Sequence, residues 1–99
     1  MKNLKNYICE STECDELYDE VELTLKKFGN PTNGFKLADK QDIIDVMYQL
    51  GFDYDDTNSN DKQLTFVGDY IDNKYEVNLY IANQSGDKIK LRNFDVWKI

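Results

Sequence analysis

The stretch Tyr75-Glu76-Val77-Asn78-Leu79-Tyr80-Ile81 places Tyr75, Val77, Leu79 and Ile81 at every second position. Such alternation turns one row of side chains into a core and the other towards water, and so predicts a half-buried strand of an antiparallel sheet. Before it, Leu64, Phe66 and Val67 begin another strand, with Asp72 and Asn73 supplying turn chemistry between the two. After it, a Ser-Gly turn within Asn83 to Asp87 leads to Ile89 and Leu91, which alternate with Lys88, Lys90 and Arg92. Near Asn93 the alternation breaks and resumes at Phe94 and Val96, as an inserted residue would make it do.

Upstream the period lengthens. Cys14, Leu17, Tyr18, Val21, Leu25 and Phe28 mark one face of a helix that Thr12 can cap, with Glu13, Asp15 and Glu16 in its first turn. Lys26 and Lys27 suit its C-terminal end, and Gly29 with Pro31 stops it. Asn30 to Gly34 reads as a turn. A second helix follows, with Asp39 as cap, Ile43, Ile44, Met47 and Leu50 as its apolar positions and Gly51 as its end. Phe52 to Asp56 reads as a short strand and Thr57 to Lys62 as a polar loop. The order predicts an α+β fold, two N-terminal helices packed on a three- to four-stranded antiparallel meander sheet. Residues 1–99 are expected to form one domain, with residues 1–10 as a short leader or N-terminal helix carrying Leu4, Tyr7 and Ile8 at helical spacing.

Ninety-nine residues, 40% of them apolar and 13% aromatic, suffice for one modest core. The formal charge is −7, which repels phosphate backbones and anionic membranes and favours basic protein partners. Direct nucleic-acid binding is therefore not expected, the basic face of Lys88, Lys90 and Arg92 beside Tyr80 being outweighed by the overall charge, and no stretch approaches the roughly 18 consecutive apolar residues needed to span a membrane. Cys9 and Cys14 have no further cysteine or histidine with which to complete a zinc site. They read as a small hydrophobe at Cys14 and a bystander at Cys9, in a reduced cytoplasm.

Histidine is absent, which removes the commonest general base near neutral pH. Neither a phosphate-binding glycine loop nor a nucleophile elbow occurs, so no catalytic residues and no cofactor are expected. The run from Asp53 to Asp61 alternates oxygen-bearing side chains, as calcium loops do. Counted from Asp53, its sixth position is Asn58 rather than glycine and its twelfth is Leu64 rather than glutamate, so no metal site is expected there.

Charge is unevenly distributed. Glu10 to Leu25 holds seven acids and no base, and Asp39 to Asp61 holds seven more against one lysine. If neighbours in space, Glu13, Asp15, Glu16, Asp19 and Glu20 of the first helix would join Asp53, Asp55, Asp56 and Asp61 of the central loop in one negative, partner-binding patch. The alternative is a self-associating assembly protein whose apolar patch lies near Tyr70, Tyr80 and Trp97.

The N-terminal residues Met1-Lys2-Asn3-Leu4-Lys5-Asn6-Tyr7-Ile8-Cys9-Glu10, followed by Ser11, resemble the capsid-targeting leaders of internal head proteins in T-even-type tailed phages. The resemblance covers about a tenth of the chain and rests on Tyr7, Ile8, Glu10 and Ser11. It implies cleavage by a prohead protease between Glu10 and Ser11, packaging in the virion and delivery to the host cytoplasm. It also implies inhibition of a host defence enzyme, such as a nuclease, whose basic surface an acidic domain can occupy.

Overall fold

A computed structural model describes residues 12–99. Ile8, Glu10, Ser11 and Cys9, and with them the leader reading, lie outside the described residues. Helix α1 spans Thr12–Thr24 and passes through a 3-10 turn, Lys26–Phe28, into a two-stranded ribbon of β1 (Gly29–Asn30) and β2 (Gly34–Phe35). Then come β3 (Ala38–Asp39), helix α2 (Lys40–Leu50), β4 (Phe52–Tyr54), β5 (Gln63–Tyr70), β6 (Asn73–Ser85) and β7 (Lys88–Lys98). The main sheet is antiparallel, in the order β3-β7-β6-β5-β4.

The α+β class holds, with two corrections. The sheet has five strands rather than three or four, and the ribbon and β3 separate the helices, so the two do not both precede the strands. Both differences come from two-residue strands, which are too short to display a period. Elsewhere the pattern carries through. Tyr75, Val77 and Leu79 of β6 are buried with Leu64 and Phe66 of β5 and Phe94 and Val96 of β7. Leu17, Val21 and Leu25 from α1 and Ile43 and Met47 from α2 join them in one cluster. The break near Asn93 is a register shift: Tyr80 faces Asn93 but Ile81 faces Leu91, leaving Arg92 as the extra residue.

Helix α1 runs along β7. Its N-terminal Glu13 feels the charge of Lys98, Tyr18 stacks on Phe94 at 4.5 Å between ring centroids, and Lys27 meets Lys90 across a cleft at its far end. Helix α2 ends at Gly51, whose N–H donates to the carbonyls of Met47 and Tyr48 while its left-handed φ of 105° turns the chain out of the helix. The expected cap at its start is used otherwise, because the Asp39 carboxylate receives Lys88 Nζ at 3.1 Å. Cys14 is buried, as expected of a small hydrophobe, and is disulfide-bonded rather than a free thiol.

Two backbone sites test the sheet's geometry. A Cβ on Gly68 would lie 2.2 Å from the Gly51 carbonyl oxygen, because β4 follows the helix end directly and pairs Phe52 with Gly68. Ile71, in the two-residue turn between β5 and β6, holds a φ of 56°, an outlier for a β-branched residue. In urea unfolding, Gly68→Ala is expected to lower stability by about 2 kcal/mol or more, whereas Ile71→Gly should raise it by about 1 kcal/mol.

Candidate functional site

The residues expected to form one negative patch fall into two groups. Glu13, Glu16, Glu20 and Leu23 follow one another at helical spacings of three and four, and so form a stripe along α1. Its N-terminal end is anchored to the β5–β6 hairpin, where the Glu13 carboxylate accepts hydrogen bonds from Asn73 Nδ2 and the Tyr75 hydroxyl, both at 2.7 Å. Tyr70 lies close enough that, after burial, the charges of Glu16, Glu20 and Glu13 push its hydroxyl upward. Asp15, Asp19 and Glu22 are exposed on the adjoining flank.

The loop acids are elsewhere. The loop from Asp55 to Lys62 is tied to the start of β5, with Asp55 N–H donating to Thr65 O, Thr65 N–H to Ser59 Oγ and Asn60 N–H to Gln63 O. The hairpin that holds Glu13 is at the other end of β5, about 23 Å away along eight residues. Moreover, α1 follows β7 while the loop hangs from β4 and β5, with β6 between them. The structure therefore brings Glu13, Glu16 and Glu20 together and keeps Asp53, Asp55, Asp56 and Asp61 apart from them. Asp53 lies opposite Val67 in the sheet, and the Asp55 carboxylate accepts from Asn58 Nδ2 at 2.7 Å and from its N–H at 3.3 Å. Among the described residues no group of three acids, cysteines or histidines is arranged to hold a metal ion.

Beside the α1 stripe, a groove of about 550 Å3 separates the helix from the β1–β2 turn, lined by Asp19, Glu20, Glu22, Leu23, Lys26 and Asn33 among others. Leu23 is 62% exposed at its edge. Ile71, at the tip of the hairpin that anchors Glu13, is 65% exposed. Two large aliphatic side chains thus stand in water beside the carboxylates, and sequence reasoning had assigned neither a role. The signal for Leu23 was available, since it falls outside the buried face of its own helix; Ile71 had none beyond its place next to a turn.

The face of the sheet turned away from the helices carries a polar row that the sequence reading overlooked. Thr65, Asn78 and Asp95 are paired side by side across β5, β6 and β7 and are only 1%, 4% and 9% exposed. Thr65 Oγ1 donates to Asn78 Oδ1 at 2.7 Å, and Asp95 accepts from Trp97 Nε1 at 2.8 Å and the Tyr80 hydroxyl at 2.7 Å. Burial, then the hydrogen bond to Asp95, push the Tyr80 hydroxyl well above its ordinary value, so it remains a donor. Arg92, freed by the bulge, sits 5.4 Å from the Tyr80 ring centre. Tyr80 and Trp97 share this face, but Tyr70 packs against the core on the other, so the three do not make one apolar patch. The basic strand face is divided too: Lys88 pairs with Asp39, Arg92 with Tyr80, and Lys90 lines a separate cleft.

Comparison with family models, curated protein sequences and solved structures gives no match for the chain.

Two expectations follow. Asp95→Ala leaves the Trp97 and Tyr80 donors without their acceptor, so unfolding in urea should show a loss of about 3 kcal/mol, accompanied by a change in Trp97 fluorescence of the folded chain. The Asn73 amide first and the Tyr75 hydroxyl second hold the Glu13 carboxyl below its ordinary value of 4.5. A carboxylate depressed by folding stabilises the folded chain above its ordinary value, and that contribution disappears as pH falls through the depressed one. Urea midpoints followed downward from about pH 6 should therefore fall less steeply below about pH 4.5 in Glu13→Gln than in the parent chain.

Proposed function

We propose that this chain is a non-catalytic binding domain that docks a basic protein surface along the exposed face of α1. The observation that carries the reading is the combination of Glu13, Glu16 and Glu20 in one stripe with Leu23 and Ile71 standing exposed beside it. Carboxylates steer a cationic partner and fix its register, while the aliphatic groups supply the desolvated contacts from which affinity comes. An arginine or lysine suits the groove at Leu23, because its stem can lie on the leucine while its charge reaches Asp19, Glu20 or Glu22. The strained Ile71 adds support, since backbone strain is retained where the surroundings or a function demand it.

Enzymes that handle nucleic acid expose basic surfaces of this kind. The proposed occupant is the phosphate-binding channel of a host nuclease, which the α1 carboxylates would fill in place of phosphates. The resemblance of residues 1–10 to phage head-protein leaders supports delivery with a phage genome, and helix α1 begins just beyond the cut proposed after Glu10.

The test is affinity capture from host lysate with two baits, the parent chain and Glu16→Lys/Glu20→Lys. A protein held by the parent at low salt should be lost from the charge-reversed bait, with affinity lower by at least about tenfold, and should elute as ionic strength rises. Equal retention on both baits, or retention that ignores salt, sinks the reading. The delivery part is checked separately: co-expression with a prohead protease should shorten the chain at Glu10, and an uncut product removes that part alone.

A further inference from the structure

The far end of α1 carries the opposite chemistry. Where the helix passes into the 3-10 turn and the ribbon, a cleft of about 420 Å3 is lined by Lys26, Lys27, Lys36 and Lys90, with Phe28 and Phe35 between them. Among the described residues no carboxylate lines it. Among the described residues Lys88 pairs with Asp39 and Lys74 with Asp69, while Lys40 lies over Tyr54, Arg92 over Tyr80 and, in the cleft itself, Lys27 over Phe28 at 5.2 Å. Lys26 and Lys27 have a local explanation, since cations favour a helix C-terminus. Lys36 and Lys90 do not, as they arrive from the ribbon and from β7.

The backbone holds them there. Lys36 N–H donates to Phe28 O at 2.9 Å, which ties the exit of β2 to the 3-10 turn. Gly29 permits that approach, because a Cβ at this position would lie 2.3 Å from Gly34 O and 2.6 Å from the Phe35 Cα. Four exposed lysines thus border one open cleft in a chain whose net charge is −7. Like charges along one cleft repel, and a multivalent anion relieves that repulsion.

We propose that this cleft binds the phosphate chain of a small phosphorylated molecule, two or three phosphates long. Lysine ammonium groups are compact, strongly hydrated point charges suited to phosphate oxygens, and the volume lies within the range of about 300–1,000 Å3 common to small-molecule sites. The size of the ligand is limited by charge. Lys26 also borders the groove that contains Asp19 and Glu22, so carboxylates begin within one helical turn of the lysines. A compact anion avoids them; a long nucleic-acid backbone would run onto the acidic stripe. The site shares Lys26 and Asn33 with the Leu23 groove, but Lys36 and Lys90 line this cleft only, so the two can be lost separately.

Pyrophosphate and tripolyphosphate are titrated into the full chain, labelled with nitrogen-15, at ionic strength held constant with sodium chloride. Saturable amide shifts are expected at Gly29, Gly34 and Lys36, with tripolyphosphate bound more tightly than pyrophosphate. Lys36→Ala/Lys90→Ala should weaken binding by at least about tenfold, while Lys36→Arg/Lys90→Arg should stay within about threefold of the parent. Lys27→Ala, at an exposed position, gives a second reading should the double alanine variant fail to fold, with weakening again expected. Shifts that do not saturate, or affinity unchanged in the alanine variants, overturn the proposal. Tighter binding of a single-stranded oligonucleotide than of tripolyphosphate also overturns it.

Discussion

Strand β6 is paired along most of its length on both sides, by β5 and by β7, and its alternation commits both faces of the sheet at once. One row, Tyr75, Val77 and Leu79, must be covered by apolar material, and α1 and α2 supply it. The other row, Glu76, Asn78 and Tyr80, then faces away from the helices, and its central member is nevertheless buried. Burying an amide and a carboxylate is tolerable only with their hydrogen bonds made. Thr65 and Gln63 on one side and Asp95 on the other complete Asn78, and Trp97 and Tyr80 complete Asp95. The β5-β6-β7 register is therefore fixed twice, by packing on one face and by a polar network on the other. A slip of one residue would exchange the two rows.

Much of this was legible in the sequence, because burial imposes a period. The two helices, the three long strands and the bulge beside Asn93 all announce themselves as apolar spacing. The five-stranded order did not, since Ala38–Asp39 enters the sheet through a single pair of residues with no pattern to read. The candidate site divides in the same way. That α1 is acidic and exposed follows from Glu13, Glu16 and Glu20 alone. Whether the loop acids lie beside them depends on strand order and on which end of β5 each segment meets, and neither is encoded in local spacing. Gathering Lys36 and Lys90, fifty-four positions apart, depends likewise on the tertiary fold.

The hairpin between β5 and β6 links fold and surface. Asn73 and Tyr75 lie at its base, and both donate to Glu13. The same bonds that seat the start of α1 on the sheet thus set the direction in which the acidic stripe points. Ile71 at the tip is carried along, in a backbone conformation that a glycine or asparagine would adopt more readily. A residue chosen for stability alone would not be isoleucine there. Its exposed side chain is the feature of the hairpin that sequence periodicity and core packing leave unexplained, and the docking surface proposed above would account for it.

A net charge of −7 describes the molecule poorly at short range. Helix α1 carries carboxylates from Glu13 to Glu22, and the surface changes sign only beyond its end, where Lys26 and Lys27 stand in the 3-10 turn. Screening in physiological salt acts over about 8 Å, so a ligand in the lysine cleft is largely insulated from Glu13, at the start of a thirteen-residue helix of about 20 Å, but not from Glu22, one turn from Lys26. The acidic stripe and the lysine cleft can then select ligands of opposite sign on one small domain. Lys26 and Glu22, one turn apart, mark the boundary between them. What the total charge does govern is the long-range approach, in which basic partners are drawn in and polyanions are slowed. A short anion, carrying less charge, has less of that barrier to overcome, and the lysines need act only once it has arrived.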